Sequence, residues 1–191
     1  GEEVKMSANI SVKPSTVDGQ ATVLTQEAID FVAHLDKMFH ARRDELLAAR
    51  KVRRDKIGAG GTLDFLAETK SIREGDWQVA PAPKALQDRR VEMTGPATPK
   101  MAINALNSGA KIWLADLEDS CTPHWKSVIE SQVVLRGVIR REYSYTDPKT
   151  QKLYKLNEGD LATIVMRPRG WHFDERNMSV DGRPVVAALF D

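Results

Sequence analysis

The stretch "KIWLADLED", residues 111–119, decides the fold class, because it begins as a buried strand and ends in acidic residues. The next stretch, "CTPHWKSVIESQVVLRGVI" (121–139), predicts a helix with Thr122 as its N-cap and Pro123 at its first position. Upstream, "RRVEMTG" (89–95) predicts a shorter strand, and residues 96–110 predict a loop and a helix that ends at Gly109. This alternation of strand and helix indicates an α/β fold with parallel strand pairing.

The flanking segments extend this pattern. "LATIVMRPRG" (161–170) predicts a third buried strand, and two hairpins are predicted at 143–156 and 178–190, the second with Asp181 and Gly182 at its turn. Two helices are predicted at 25–39, with Thr25 as N-cap, and at 41–57, followed by a shorter one near 62–69. We therefore divide the chain into a flexible lead (1–21), an α-helical N-terminal domain (22–88) and a strand–helix region (89–191).

Side-chain alternation along the strands groups the polar residues. Successive strand residues point to opposite faces of a sheet. One face of the strand at 111–119 carries Ile112, Leu114, Asp116 and Glu118, and the other carries Trp113, Ala115, Leu117 and Asp119. One face of the third strand carries Thr163, Val165, Arg167 and Arg169. The carboxyl ends of parallel strands form ligand sites, so the sequence predicts that Asp116, Glu118 and the two arginines meet at one edge, while Asp119 organises the following turn.

These residue types leave several chemical roles open. An arginine donates two parallel hydrogen bonds to a carboxylate and keeps its charge, so Arg167 and Arg169 suit an anionic substrate or a developing enolate oxygen. Carboxylates at the same edge bind a divalent cation, act as bases or hold the arginines in place. His172 follows this strand, and we interpret it as a loop histidine bonded to the backbone. The pattern therefore predicts a site but not a reaction.

Composition excludes several classes of protein. Of the 191 residues, 41% are hydrophobic and 29% charged, and the formal net charge of +1 favours neither nucleic acid nor an anionic membrane as a partner. The single cysteine, Cys121, excludes an internal disulfide framework. No apolar run reaches the length of a membrane span and no signal peptide is recognised, so we expect a cytoplasmic protein.

Four motifs resemble the malate synthase family, and within it the shorter A-type isoform. They are "SIREGDW" (71–77), "DRRVEMTGP" (88–96), "KMAINALNSGAKIWLADLEDS" (100–120) and "MRPRGWH" (166–172), and they occur in the order and spacing of that family. The similarity runs from about residue 22 to the end of the chain. The strand ending in "DLED", followed by an arginine strand, also resembles, more distantly, the citrate lyase β-subunit group of acyl-CoA lyases.

The resemblance implies a specific fold and reaction. The fold would be a partial TIM (β/α)8 barrel, with only its first three strands present, preceded by the α-helical domain. The reaction would be the condensation of glyoxylate, acetyl-CoA and water to malate and CoA in the glyoxylate cycle, with Mg²⁺ as cofactor. The active-site arginine of the family maps onto Arg167, with Arg169 as its neighbour, and Thr94 and Gly95 would lie near the thioester or the CoA arm. The catalytic base and the metal ligands would lie beyond Asp191.

Two alternatives accompany this interpretation. The first is an acyl-CoA lyase of the citrate lyase β-subunit type. The second is a non-catalytic interaction module that uses the basic helix 42–56, where seven basic residues face three acidic ones. The competing interpretation of that helix is a solvated surface with acid–base pairs at helical spacing. The sequence predicts no oligomeric state.

Overall fold

The computed structural model describes residues 9–191, and its elements alternate as the sequence predicts in the second half of the chain. In chain order they are β1 (Ile10–Val12), α1 (Gln20–Val23), α2 (Gln26–Gly58), α3 (Lys70–Arg73), β2 (Glu92–Gly95), α4 (Pro99–Asn107), β3 (Ile112–Asp116), α5 (Trp125–Ile139), β4 (Ser144–Thr146), β5 (Leu153–Lys155), β6 (Thr163–Arg167), β7 (Asp174–Val180), β8 (Arg183–Val186) and α6 (Ala187–Phe190). Single 3₁₀ turns cover Ala67–Thr69 and Lys84–Leu86. The protein is therefore a mixed α/β chain, and residues 9–191 form no closed barrel.

A three-stranded parallel sheet occupies the middle of the chain, in the order β2-β3-β6. Its register places Thr94 opposite Leu114 on one side of the central strand. On the other side, Asp116 lies opposite Arg167. Partners in such a register share a face of the sheet, so the acidic end of β3 and the basic end of β6 arrive together.

One face of this sheet is covered by helices, as the alternation predicts. Trp113 and Ala115 are fully buried, and they pack with residues of α4 and α5. The buried members of this core are Ala97, Ala102, Ala105, Leu106, Trp113, Ala115, Leu117, Val134, Leu135, Val138 and Ala162. On the opposite face, Leu114 and Val165 are half-buried and Thr94 is exposed. The two faces of the sheet are therefore unequal, one packed and one partly open.

A second core joins the start of the chain to its end. The antiparallel sheet β1-β7-β8 packs against α2, with Val32 and Ala33 of the helix buried against Met178, Val180 and Val185. Asp36 of α2 is fully buried in this contact. Its carboxylate accepts from the Val186 N–H at 2.9 Å and from Arg183 Nη2 at 3.0 Å. The helix is thus bonded directly to the β7–β8 hairpin.

Both predicted hairpins are confirmed. β4 pairs with β5 and β7 pairs with β8, each antiparallel. Asp181 and Gly182 form the second turn with φ of 52° and 80°. Positive φ at both central positions is the backbone of a two-residue hairpin turn, which aspartate and glycine tolerate better than other residues.

Three expectations need correction. The two helices expected at 25–39 and 41–57 are one helix, α2, because no glycine or proline interrupts the sequence between Gln26 and Ile57; its N-cap is Thr25, as predicted. The helix α5 starts at Trp125 with His124 as N-cap, not at Pro123, because a tight turn still bonds the His124 N–H to the Thr122 carbonyl. The helix expected near 62–69 is a 3₁₀ turn that leads into α3.

The expected flexible lead, residues 1–21, also differs in part. Residues 1–8 lie outside the described residues. Within the remainder, Ile10–Val12 form strand β1, which pairs with β7, and Gln20 begins α1. The strand forms because Ile10 and Val12 pack into the second core.

Candidate functional site

The centre of the candidate site is a bidentate ion pair between Asp116 and Arg167 at the carboxyl end of the parallel sheet. Arg167 Nε donates to Asp116 Oδ1 at 2.8 Å, and Nη2 donates to Oδ2 at 2.6 Å. The Asp116 side chain is 1% exposed, whereas that of Arg167 is 37% exposed. The pair therefore fixes the plane of a guanidinium that still reaches solvent.

Asp116 also shapes the turn that follows β3. Its Oδ1 accepts from the N–H groups of Glu118 at 3.0 Å and Asp119 at 3.3 Å. Its Oδ2 accepts from the N–H and the hydroxyl of Ser120 at 3.1 and 2.8 Å. The carboxylate is thus fully engaged within the protein, where it holds Arg167 and the turn in place.

These contacts change the pKa of both partners. The hydrogen bonds from Arg167 hold the pKa of Asp116 well below its usual range, burial opposes this, and the Ser120 hydroxyl adds to it. The hydrogen bonds to Asp116 raise the pKa of Arg167 above its usual value. Asp116 is therefore ionised and Arg167 positively charged at any physiological pH.

The lowered pKa of Asp116 predicts an acid-dependent loss of stability. Asp116→Asn should unfold at a lower temperature or denaturant concentration than the wild type at neutral pH, because asparagine cannot balance the charge of Arg167. The stabilisation by the carboxylate is complete above its unfolded-state pKa of about 3.9 and is lost as pH falls toward the lower folded-state pKa. The difference between the two proteins should therefore shrink below about pH 4.

Urea titrations of both proteins between neutral and acidic pH measure this difference. The control is Asp88→Asn, which removes an exposed carboxylate that pairs with Arg90 in the same bidentate way. Its effect should be much smaller at every pH, because exposed ion pairs contribute little. Equal effects of the two substitutions would contradict the role given to Asp116.

Glu118 and Asp119 both lie near Arg167, although the alternation places only Glu118 at that edge. Asp119, assigned from sequence to the turn, places its Oδ2 at 3.1 Å from Arg167 Nη2. Glu118 Oε1 lies farther away, at 3.9 Å from Arg167 Nη1. The reason is that β3 ends at Asp116. Beyond that residue the chain turns, so strand alternation no longer fixes the direction of a side chain.

Arg169 is not beside Arg167 at the acidic edge, contrary to the expectation from alternation. It is 5% exposed, and its Nε and Nη2 donate to Asp191 at 2.9 and 2.8 Å. Its Nη1 lies 2.8 Å from Glu175 Oε2, and the Glu175 side chain is 1% exposed. Strand β6 ends at Arg167 and Pro168 follows, which redirects the chain. Arg169 therefore forms a buried ion cluster with Glu175 and Asp191.

Thr94 and Gly95 lie at the end of β2 but face different sides of the sheet. Thr94 is exposed and shares the partly open face with Leu114. Gly95 is buried opposite Ala115, and a Cβ atom there would lie 2.2 Å from Met101 Cε. The absent side chain of Gly95 thus accommodates helix α4, and only Thr94 points toward the open face.

The basic helical segment 42–56 shows acid–base pairs at helical spacing. Arg42 lies 2.7 Å from Glu45, and Lys51 lies 2.8 Å from Asp55, with all four side chains more than half exposed. These contacts favour a solvated helix face over a docking site for an acidic partner.

Sequence reasoning missed the residues that complete the two ion clusters. An aspartate side chain commonly accepts from the N–H two residues later, which here is that of Glu118, but this spacing does not extend to Ser120, four residues after Asp116. Glu175 and Asp191 carry no comparable signal, because each meets Arg169 only through tertiary packing.

Within residues 9–191, no three acidic, histidine or cysteine side chains are close enough to hold a metal ion. None of the described helices combines the length and the apolar character that a membrane span requires.

Comparison with known proteins agrees with the motifs. Residues 11–71 match the family model described as malate synthase, N-terminal domain. The chain matches the N-terminal portion of malate synthases. A malate synthase from Streptomyces clavuligerus is 50% identical over 97% of this chain and 36% of its own length. One from Myxococcus xanthus is 47% identical over 95% of this chain and 33% of its own length.

A plant malate synthase is also similar to this chain. The glyoxysomal malate synthase from Ricinus communis is 43% identical over 91% of this chain and 31% of its own length. The chain therefore spans about a third of the length of the malate synthases that it matches. The resemblance found in the sequence motifs is confirmed, while the cytoplasmic location stays a prediction because this relative is glyoxysomal.

Proposed function

We propose that the full-length protein that carries this chain is a malate synthase, which condenses glyoxylate with acetyl-CoA and water to give malate and CoA in the glyoxylate cycle. The similarity to malate synthases along almost the whole chain supports this proposal. The observation that carries it is the orientation of Arg167 by Asp116 at the carboxyl end of the parallel sheet.

The geometry of Arg167 explains how it would serve this reaction. Its Nε and Nη2 are bound to Asp116, and Nη2 also meets Asp119. Among the described residues, Nη1 has no hydrogen-bond acceptor, since Glu118 Oε1 remains at 3.9 Å. Nη1 is thus a charged donor with a fixed direction. It would bind an oxygen of the anionic substrate or the enolate oxygen that forms when acetyl-CoA loses a methyl proton.

The proton transfer requires a base other than Asp116. The low pKa of Asp116 and its hydrogen bonds make it a poor proton acceptor. We infer that the base lies outside residues 9–191, as the family resemblance implies. Its removal of the methyl proton gives the enolate, whose carbon attacks the aldehyde carbon of glyoxylate while the electron pair of the C=O bond moves to the oxygen, which takes up a proton. Water then cleaves the thioester and releases CoA.

The described residues do not form a magnesium site on their own. Asp116 is fully engaged, which leaves only Glu118 and Asp119 as oxygen donors at this edge. Three carboxylates surround the single guanidinium of Arg167, so the edge carries excess negative charge that would attract a cation. We propose that the ligands of the expected Mg²⁺ are supplied by other parts of the full-length protein.

We further propose that β2, β3 and β6, with α4 and α5, are the first three strands and the covering helices of a TIM barrel. Parallel pairing, helices on one face and half-buried residues on the other support this. Thr94, Leu114 and Val165 would then face the barrel interior. In this arrangement Thr94 would line the approach to the thioester, whereas Gly95 would serve packing.

An assay of the full-length protein tests the proposed function. Acetyl-CoA and glyoxylate together should release CoA and form malate, and neither substrate alone should do so. Citryl and malyl thioesters are assayed in parallel. Their cleavage, without condensation of glyoxylate and acetyl-CoA, would support the lyase alternative and contradict the synthase.

A further inference from the structure

We propose that Gly170 and His172 are positioning residues that hold Glu118 away from the open donor, Nη1 of Arg167. The inference rests on the proposed function, and it takes Nη1 as a donor to an oxygen of glyoxylate, the anionic substrate, rather than to the enolate of acetyl-CoA. Its starting point is a space beside Gly170. A Cβ atom on this residue would lie 2.6 and 2.7 Å from Cε1 and Nδ1 of His172 and 2.8 Å from Oε2 of Glu118. The side chains of His172 and Glu118 therefore both border the space left by the absent side chain of Gly170.

The loop that carries His172 is fixed on several sides. The Phe173 N–H donates to the Gly170 carbonyl at 3.0 Å, which closes a tight turn. The Ala187 N–H donates to the Phe173 carbonyl at 3.0 Å, which ties the loop to the end of β8. The His172 ring lies against the Phe173 ring, with 4.1 Å between centroids. The loop thus presents the His172 ring in a defined position.

Helix α2 anchors the same loop from the other side. Arg43 Nη1 donates to the Trp171 carbonyl at 3.4 Å, and its Nη2 donates to Asp174 at 2.6 Å. The Arg43 side chain is only 11% exposed, whereas that of its partner Asp174 is 41% exposed. The N-terminal helix thereby contributes to the placement of a residue beside the candidate site.

The carboxylate of Glu118 lies close both to Arg167 and to Gly170. Arg167 Nη1 lies 3.9 Å from Oε1, too far for a hydrogen bond but close enough that a rotation of the side chain would form one. Such a charge-assisted bond would occupy the donor. Beside Gly170, the other carboxylate oxygen rests in the space that His172 borders. We call this space, bordered by Gly170 and His172, the seat. While Glu118 occupies the seat, its carboxylate does not pair with Arg167.

Filling or opening the seat should therefore weaken substrate binding. Gly170→Ala places a methyl group where Glu118 and His172 now lie, and the displaced groups are ends of side chains, so the fold should persist. His172→Ala removes one wall. In both variants Glu118 would pair with Nη1, and substrate must displace it. The KM for glyoxylate should rise about fivefold, the effect of an exposed charge pair worth about 1 kcal/mol. The kcat should change by less than about twofold, because saturating substrate displaces Glu118 from Nη1 of Arg167.

Steady-state kinetics of the full-length protein test whether KM rises while kcat stays nearly constant. The control is Gly58→Ala, since a Cβ at Gly58 meets nothing within 4 Å, and it should match the wild type. His172→Gln keeps a long side chain beside the space at Gly170 and should recover part of the loss. An unchanged KM in both seat variants, or a fall in kcat at constant KM, would overturn the inference. A wild-type protein without synthase activity would instead refute the proposed function, so the two failures are distinct.

Discussion

Arg167→Lys should leave the full-length protein folded and lower its turnover by a factor of about 10² to 10³, the usual cost of removing one oriented donor from an oxyanion, here the one that develops on the aldehyde oxygen of glyoxylate. Lysine keeps the positive charge beside Asp116, so the fold should survive. It cannot donate two parallel hydrogen bonds to Asp116 and still direct a third donor at the substrate. The kcat for condensation of glyoxylate and acetyl-CoA, with circular dichroism to verify folding, measures the effect.

The chain offers a matched control for this experiment. Arg90 binds Asp88 through Nε and Nη2, at 2.9 and 2.8 Å, in the same bidentate geometry but on the exposed surface. Arg90→Lys should leave kcat unchanged. Activity of Arg167→Lys equal to that of Arg90→Lys would show that Arg167 does not act on the substrate.

The largest effect on stability is expected from Arg169→Met. Arg169 is the only cation in contact with the buried carboxylates of Glu175 and Asp191 among the described residues, and both side chains are at most 1% exposed. Its removal leaves two buried negative charges without a counter-ion. Removing one partner of a buried ion pair lowers the free energy of unfolding by about 3–5 kcal/mol.

Urea denaturation of the full-length protein measures this loss. Lys51→Met is the comparison, because it removes the cation of an exposed pair with Asp55 and should cost at most about 1 kcal/mol. Similar losses in the two variants would mean that the buried cluster does not stabilise the junction of β6 with the β7–β8 hairpin.

The sequence was most informative where backbone periodicity applies. Alternation along β3 and β6 predicted that Asp116 and Arg167 share an edge, and the register places them opposite each other. It failed two or three residues beyond each strand. Arg169 turns inward after Pro168, and Asp119 approaches Arg167 instead of only shaping the turn. Strand geometry constrains a side chain only while the strand continues.

Contacts between segments that are distant in the chain could not be predicted from local sequence patterns. The burial of Asp36 depends on the Val186 N–H, and the segment containing Ile10 becomes a strand only because β7 is beside it. The position of His172 likewise depends on α2, through Arg43. Local patterns predict which elements form, but they carry no information about which distant elements will pack together.

The contact between Asp36 and Val186 also affects how the protein is made. The two residues are 150 positions apart in the chain. A ribosome adds about 5–20 residues per second, so helix α2 emerges on the order of ten seconds before the hairpin that buries it. During that interval, Val32 and Ala33 lack their partners Met178, Val180 and Val185, so this face of the nascent helix stays uncovered. Such long-range closure also predicts slow refolding from denaturant, because the second core forms only after a large loop of chain has closed.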